Sequence, residues 1–205
     1  MKTLGLIGGM SPESTVSYYQ IINRAVNQRL GGNHSADMLM HSVNFETIAA
    51  LQRAGDWQQA GAVLAASAKQ LESMGAQAIV LATNTMHKVA PAIEQAIRVP
   101  LIHVVDAVGH AIQAQGLHQV ALLGTRFTMS DGFYTERLQK LGVSAMVPPA
   151  AQQDEIHRVI FEELCRNRLT DAARRYYLNA ITELQAHGAQ GVIFGCTEIG
   201  LLLKP

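Results

Sequence analysis

The chain has 205 residues, 48% hydrophobic and 16% charged, which is typical of a compact soluble protein and excludes a disordered one. Sixteen basic and sixteen acidic side chains balance, so no electrostatic footprint indicates a nucleic-acid or membrane partner. No apolar run approaches the length of a membrane span, and two cysteines do not make a disulfide framework. A reducing, cytoplasmic setting is the simplest expectation.

Strand-like apolar runs alternate with helix-like stretches along the chain. We predict strands at 3–8, 36–43, 78–82, 100–105, 119–124, 144–148 and 191–195. We predict helices at 17–30, 60–75, 86–97, 107–115, about 152–166 and 170–187, with Pro91 bending or restarting the third. Alternating elements with nearly continuous apolar strands indicate parallel α/β architecture.

The chain also repeats itself. LESMGAQAIVLATNTMH (71–87) aligns with LQAHGAQGVIFGCTEIG (184–200), which places Thr83 opposite Cys196. LGLIGGM (4–10) aligns in the same way with VALLGTR (120–126). We therefore predict two similar parallel-sheet α/β domains, 1–98 and 99–205, related by a pseudo-two-fold axis. Since ligands in open α/β sheets bind at the carboxyl ends of strands, Thr83 and Cys196 are expected on opposite walls of one cleft.

One difference between the halves concerns length. The first half continues past its TNTMH stretch through a helix and a further strand, whereas the second half stops at GLLLKP (200–205). We therefore expect a C-terminal helix and strand to be missing from the second half.

The glycine-rich stretch GLIGGMSPEST (5–15) lies between a predicted strand and a helix. Its spacing is not G-x-G-x-x-G, which argues against a dinucleotide site. Two interpretations are compatible: a tight turn with helix capping by Ser11 or Ser14, and a nest of backbone N–H groups that receives a carboxylate. GTRFT (124–128) follows the equivalent strand of the second half, where Thr125 and Thr128 can cap a helix or bind an anion.

The two cysteines differ in their surroundings. Cys165 lies on the apolar side of a helix-like stretch and is expected to pack in the core. Cys196 ends a buried strand and precedes Thr197 and Glu198; a thiol near N–H donors at a helix start can have a lowered pKa. The eight histidines show no metal spacing, and neither a G-x-S-x-G elbow nor a P-loop occurs.

Four motifs taken in order resemble one family. IGGMSPEST (7–15), TNTMH (83–87), GTRFT (124–128) and GCTE (195–198) are similar to those of the cofactor-independent aspartate/glutamate racemases, over nearly the whole chain. The resemblance implies two α/β domains with the active site between them, often in a homodimer. It also implies two cysteines on opposite faces of the substrate Cα, one removing the α-proton and one returning a proton.

The resemblance also implies roles for individual residues. The second family cysteine is Cys196, while the position of the first is occupied by Thr83, the main departure from the family pattern. The substrate-binding residues that it implies are Met10, Gln52, Asn84, Thr85, Thr125, Thr128 and Thr197. Gln52 or Arg53 would stand in for a family arginine, and Arg166 falls near a position that is basic in some members.

The threonine changes the expected chemistry. An alcohol is far less acidic than a thiol, so Thr83 is a poor proton abstractor that can still donate or relay a proton. The resemblance also implies that the second cysteine lies on the face that deprotonates the L-enantiomer. We therefore expect a racemase of aspartate or glutamate, free of pyridoxal phosphate and metal, that prefers the L-enantiomer. A single-cysteine decarboxylase of the same superfamily and a catalytically impaired acidic amino-acid binding protein are the alternatives.

Overall fold

The computed structural model describes residues 1–203 and divides into two compact units, one covering Met1–Val104 and the other beginning at Val105. The first unit contains a four-stranded parallel sheet in the order β2-β1-β3-β4. Its strands are β1 (Leu4–Gly8), β2 (Met38–Ser42), β3 (Ala78–Leu81) and β4 (Leu101–Ile102). The central strand β1 pairs with both β2 and β3, and its Ile7 lies beside Leu81.

The helices of the first unit are α1 (Pro12–Leu30), α2 (Phe45–Ala54), α3 (Trp57–Ser73) and α4 (Ala90–Ala96), of which the first three begin at a capping side chain. Ser11, Asn44 and Asp56 each accept a backbone N–H at the start of α1, α2 and α3. A 3-10 helix, Thr85–Val89, leads directly into α4, where Pro91 occupies the first turn. Pro91 therefore restarts the helix there, as predicted.

The helices of the first unit cover both faces of its sheet. Met40 on β2 lines a hollow beside α1, and the next residue, His41, lines another beside α2 and α3. Since successive strand residues point to opposite faces, α1 and α3 lie on opposite sides of β2. Buried apolar side chains of α3, β1 and β3 form the core of this unit; fully buried members include Ile7, Ile48, Leu64, Ile79 and Met86.

The second unit contains a three-stranded parallel sheet in the order β6-β5-β7. Its strands are β5 (Gln119–Gly124), β6 (Ser144–Met146) and β7 (Val192–Gly195). Helix α5 (Val104–Ala114) begins at the last residue of the first unit and continues into the second. The other helices of the second unit are α6 (Arg126–Ser130), α7 (Phe133–Lys140), α8 (Ala150–Glu162), α9 (Asp171–Ala186) and α10 (Ile199–Leu202), with a 3-10 turn at Leu164–Arg166. The core lies among β5, α8 and α9, and its largest buried side chain is Tyr177.

The two sheets follow one plan. In each, the first strand is central, the second strand flanks it on one side, and the third flanks it on the other. In the second unit Gly124 pairs with Gly195; in the first, the pairing of Ile7 with Leu81 brings Gly8 beside Ala82 one residue later. Thr83 and Cys196 therefore each follow the third strand at the same register, as the sequence alignment predicts.

The structure corrects the predicted strand at 100–105. Only Leu101–Ile102 is a strand, and α5 already begins at Val104. The apolar run is shared between a short strand and a helix whose buried face carries Val105, and a run of that length does not distinguish the two. The predicted domain division between residues 98 and 99 precedes β4, which pairs with β3 in the first sheet.

Candidate active site

The turn after β1 is a tight, internally bonded structure. Gly9 has a φ of +90°, and its N–H donates to Thr15 Oγ1 over 2.7 Å. The Thr15 hydroxyl donates in turn to the Ser11 carbonyl, and Ser11 caps α1 by accepting the Ser14 N–H. The capping interpretation of this stretch is thus confirmed for Ser11. Met10, a predicted substrate-binding residue, buries its side chain in the core, which leaves its backbone for any ligand contact.

The turn after β3 carries Thr83, Asn84 and Thr85. Thr83 and Thr85 are buried, with 9% and 7% of their surface exposed. Asn84 stands at the N-cap position of the following 3-10 helix, but its side chain makes no capping hydrogen bond. Helix capping by Asn84 therefore does not explain why a polar residue follows this strand, and a ligand-binding role remains a prediction.

Gln52 and Arg53 are neighbours in the sequence but lie in different environments. Gln52 on α2 is buried, and its Nε2 donates to Met86 Sδ over 2.9 Å, in the turn after β3. Arg53 is largely exposed and forms an ion pair with Glu46 on the same helix. Of these two candidates, the structure brings Gln52 to the turn that carries Thr83, while Arg53 faces solvent.

The turn after β5 is the counterpart of the glycine-rich turn. Thr125 caps α6 by accepting the Thr128 N–H, and the two hydroxyl oxygens are 3.2 Å apart. The Arg126 N–H donates to Nδ1 of His157 on α8. Burial, followed by the Arg126 guanidinium, lowers the pKa of His157, which favours the uncharged ring that can accept this bond. Sequence reasoning missed His157, since thirty-one residues separate it from Arg126.

The turn after β7 places a thiol and a hydroxyl against one carboxylate. The Cys196 thiol donates to Glu198 Oε2 over 2.9 Å, and the Thr197 hydroxyl donates to the same oxygen over 2.9 Å. Burial, the negative charge of Glu198 and the hydrogen bond to its carboxylate raise the pKa of Cys196 well above its usual value. The Glu198 backbone N–H opposes this rise in pKa but does not cancel it. The predicted lowering of the Cys196 pKa is therefore wrong: burial and a carboxylate outweigh the N–H donors at the helix start.

The residues around Cys196 complete this half of the candidate site. Cys165 packs against the same core as Cys196, as predicted from its apolar surroundings. Tyr177 is fully buried in that core, and its hydroxyl donates to the Ile156 carbonyl. Burial is the main cause that raises the pKa of Tyr177, so its hydroxyl stays protonated. Arg166 lies exposed in the 3-10 turn next to Cys165.

No group of three or more His, Cys, Asp or Glu side chains suited to a metal ion occurs within residues 1–203. Over the same residues no helix is both long enough and apolar enough to cross a membrane.

The fold and the strand-end residues define an α/β protein of two parallel-sheet units, each with a polar or nucleophilic side chain within two residues of the end of its third strand. The family model for Asp/Glu/hydantoin racemases matches residues 7–205, and the chain belongs to this family.

Relatives agree with this family. A crystal structure of an Asp/Glu racemase candidate from Yersinia pestis is 48% identical, with a TM-score of 0.92 over 100% of this chain and 89% of that chain. A structure of an aspartate racemase homologue from Pyrococcus horikoshii is 34% identical, with a TM-score of 0.84 over 100% and 89% of the two chains. The broad specificity amino-acid racemase RacX of Bacillus subtilis is 24% identical over 212 residues, 98% of this chain and 87% of the relative.

Proposed function

We propose that the protein interconverts the enantiomers of an acidic amino acid, aspartate or glutamate, by proton transfer at Cα without pyridoxal phosphate. The observation that carries this proposal is the Cys196–Glu198 pair: a thiol at a strand end, 2.9 Å from a carboxylate oxygen. A general acid–base pair of this kind needs the two groups within direct hydrogen-bond reach. The description of the family, Asp/Glu/hydantoin racemases, and the name of one relative, an aspartate racemase homologue, support the choice of substrate class.

The raised pKa of Cys196 assigns a task to Glu198. With its pKa raised in this way the thiol holds its proton, so a thiolate forms only when that proton leaves. The Glu198 carboxylate already accepts the thiol hydrogen bond and is the group to receive it. An incoming α-ammonium group favours the thiolate by its positive charge. The resulting thiolate, with its high pKa, is a strong base for the weakly acidic Cα–H.

The proposed reaction then runs in two proton transfers. The Cys196 thiolate removes the α-proton of the L-enantiomer and leaves a carbanion at Cα. The Thr83 hydroxyl donates a proton to the opposite face, which gives the D-enantiomer and leaves an alkoxide. The alkoxide regains a proton from water, and the hydroxide formed takes up the proton that Glu198 received from Cys196, so both groups return to their starting states. Asn84, Thr85, Thr125, Thr128 and Thr197, with the Met10 backbone and Gln52, supply the polar groups that hold the substrate.

With Cys196 assigned to the face of the L-enantiomer, as the family resemblance implies, a preference for L-substrates follows from the difference between the two strand ends. Glu198 lies two residues after Cys196 and can take its proton; the matching residue after Thr83 is Thr85, a hydroxyl that cannot. Starting from the D-enantiomer, Thr83 must act as the base without a carboxylate two residues away. We therefore expect faster initial rates from L- than from D-substrates, with the equilibrium unchanged.

Exchange of the Cα hydrogen in deuterated water tests the proposal. Purified protein is incubated with L- or D-aspartate and with L- or D-glutamate, and loss of the Cα–H signal is followed by proton NMR. We expect exchange from the L-enantiomer of at least one amino acid, abolished by Cys196→Ser and retained by the matched control Cys165→Ser. No exchange with any of the four compounds would reject the racemase. Activity toward malonate-type acids in its place would indicate a decarboxylase, and substrate binding without either would indicate a binding protein.

A further inference from the structure

His87 lies four residues after Thr83, within the 3-10 helix that follows β3. It is almost fully buried, with 2% of its surface exposed. Its Nε2 accepts the Val104 N–H over 3.2 Å, at the start of α5. Because a neutral imidazole has one acceptor nitrogen and one N–H, this bond places the proton on Nδ1. Nδ1 in turn is 2.7 Å from the Thr83 carbonyl oxygen and donates to it.

The backbone of Thr83 is therefore held on both sides. Its N–H donates to the Leu81 carbonyl over 2.9 Å, and its carbonyl accepts the His87 ring. With both adjoining peptide groups engaged, the direction of the Thr83 Cα–Cβ bond is determined, and rotation about that bond is the remaining freedom. The ring of His103 packs edge-on against His87, with ring centroids 4.4 Å apart, but it takes no part in the hydrogen bond to the Thr83 carbonyl.

The second unit holds Cys196 in a different way. The residue that matches His87 in the repeat is Gly200, which has no side chain. The Cys196 carbonyl instead accepts the Ile199 N–H over 3.2 Å, a bond within the backbone of the turn itself. An imidazole that holds the strand-end residue is thus a feature of the Thr83 turn, and the shared fold does not require it.

We propose that His87 is a positioning residue for Thr83, acting through its Nδ1–H bond to the Thr83 carbonyl. This inference rests on the proposed racemase function and deepens it. If Thr83 supplies the proton on one face of Cα, then His87 affects inversion of the substrate and not exchange on the Cys196 face. A misplacement of about 1 Å can cost about 10²-fold in rate, so a single backbone bond is sufficient to matter.

Two substitutions each keep one of the two hydrogen bonds that the His87 ring makes and remove the other. In His87→Asn the amide nitrogen occupies the place of Nδ1 and keeps the donor to Thr83. In His87→Gln the amide oxygen reaches the place of Nε2 and keeps the acceptor for Val104 instead. His103→Asn serves as the matched control, because it removes a buried imidazole from the same ring pair.

The measurement is made in deuterated water with the L-enantiomer of the substrate that the wild type exchanges. Deuterium in the remaining L-substrate reports the Cys196 face, and the D-product reports completed inversion. We expect His87→Gln to lower inversion about 10²-fold while exchange into L-substrate stays near the wild-type rate. His87→Asn should restore most of the inversion, and the control should leave the ratio of exchange to inversion unchanged. A role confined to stability would lower both signals in parallel and would overturn the proposal.

A second measurement needs no variant. In uniformly ¹⁵N-labelled wild-type protein, long-range ¹H–¹⁵N spectra report which ring nitrogen of His87 carries the proton. We expect the Nδ1–H tautomer; an Nε2–H tautomer or an imidazolium would overturn the proposal even if the variants failed to fold. If the wild type exchanges no substrate, then the proposed function itself fails. If exchange depends on Cys196 but His87→Gln leaves the ratio of exchange to inversion unchanged, then only the role of His87 is rejected.

Discussion

Replacing Glu198 by glutamine separates acid–base catalysis from simple charge repulsion. The amide keeps the size of the side chain and an oxygen acceptor, but it carries no charge and cannot receive a proton from Cys196. The wild-type Sγ–Oε2 distance of 2.9 Å corresponds to a direct hydrogen bond, so the substitution should remove the full contribution of a general base. Such a contribution is typically about 10²–10⁴-fold in rate, equivalent to about 3–5 kcal/mol of transition-state stabilisation.

The same substitution should lower the rate of catalysis but increase the fraction of Cys196 that is present as thiolate. Apart from burial, the Glu198 charge and its hydrogen bond are the largest causes that raise the pKa of Cys196. With glutamine in place, the pKa of Cys196 falls, so more thiolate is present at a given pH. Alkylation by iodoacetamide, which requires the thiolate, should become faster while Cα exchange becomes slower.

The assay is made in a Cys165→Ala background, where Cys196 is the one remaining cysteine of the sequence. Alkylation rates are followed by mass spectrometry from about pH 7 to about pH 9, and Cα exchange is measured by NMR on the same preparations. Glu198→Asp, which keeps the charge on a shorter side chain, is the matched control. Faster alkylation with unchanged exchange would show that Glu198 only suppresses the thiolate, and slower alkylation would refute the electrostatic argument.

Three further predictions concern Thr83, His157 and Gly9. Thr83→Cys should raise the exchange rate of D-substrate more than that of L-substrate, whereas Thr83→Ser should not; an unchanged D-side rate in a folded variant would show that this position supplies no base. The pKa of His157 is lowered in the folded protein, mainly by burial, whereas in the unfolded chain it is about 6.5. The unfolded chain therefore binds more protons than the folded protein as the pH falls toward and below about 6.5. The free energy of unfolding should therefore fall as the pH drops from about 7 to about 5; urea titrations in which His157→Gln shows an equally steep fall would contradict this. Gly9→Ala should lower the free energy of unfolding by about 2–3 kcal/mol, because φ is +90° and the added Cβ would lie 2.3 Å from the Val43 carbonyl oxygen. The matched control is Gly116→Ala, where φ is +71° and the added Cβ meets open space; it should cost about 1 kcal/mol in the same titrations.

The parallel α/β architecture and the internal repeat were predictable because both depend on local patterns. Buried parallel strands are nearly continuous apolar runs, and polar residues mark where those runs end. The alignment of Thr83 with Cys196 needed only the shared GAQ stretch, and the strand pairing in each sheet confirms its register. The predicted strand at 100–105 was longer than the observed β4, because Val104 and Val105 suit a buried helix face as well as a strand.

The electrostatics of the site were not predictable in the same way. The sequence places Glu198 two residues from Cys196 but does not show whether a thiol there is solvated, or whether the carboxylate turns toward it. Burial and the 2.9 Å contact decide the direction of the Cys196 pKa, and both depend on tertiary packing. The different environments of Gln52 and Arg53 likewise depend on which face of α2 packs against the turn after β3.

The two units share a backbone plan, and they differ in chemistry at three matched positions. After β7 the chain has a thiol, a carboxylate two residues later, and a glycine four residues later. After β3 it has an alcohol, a second alcohol, and a buried imidazole bonded to the backbone. A carboxylate next to a thiol can exchange protons with it, whereas an imidazole bonded to a carbonyl can only orient the residue that carries this carbonyl. Under the proposed function, one half of the repeat has the means to generate a base, and the other half has the means to hold a weak acid in place. That division of tasks follows from the side chains alone, because the strand register beneath them is the same.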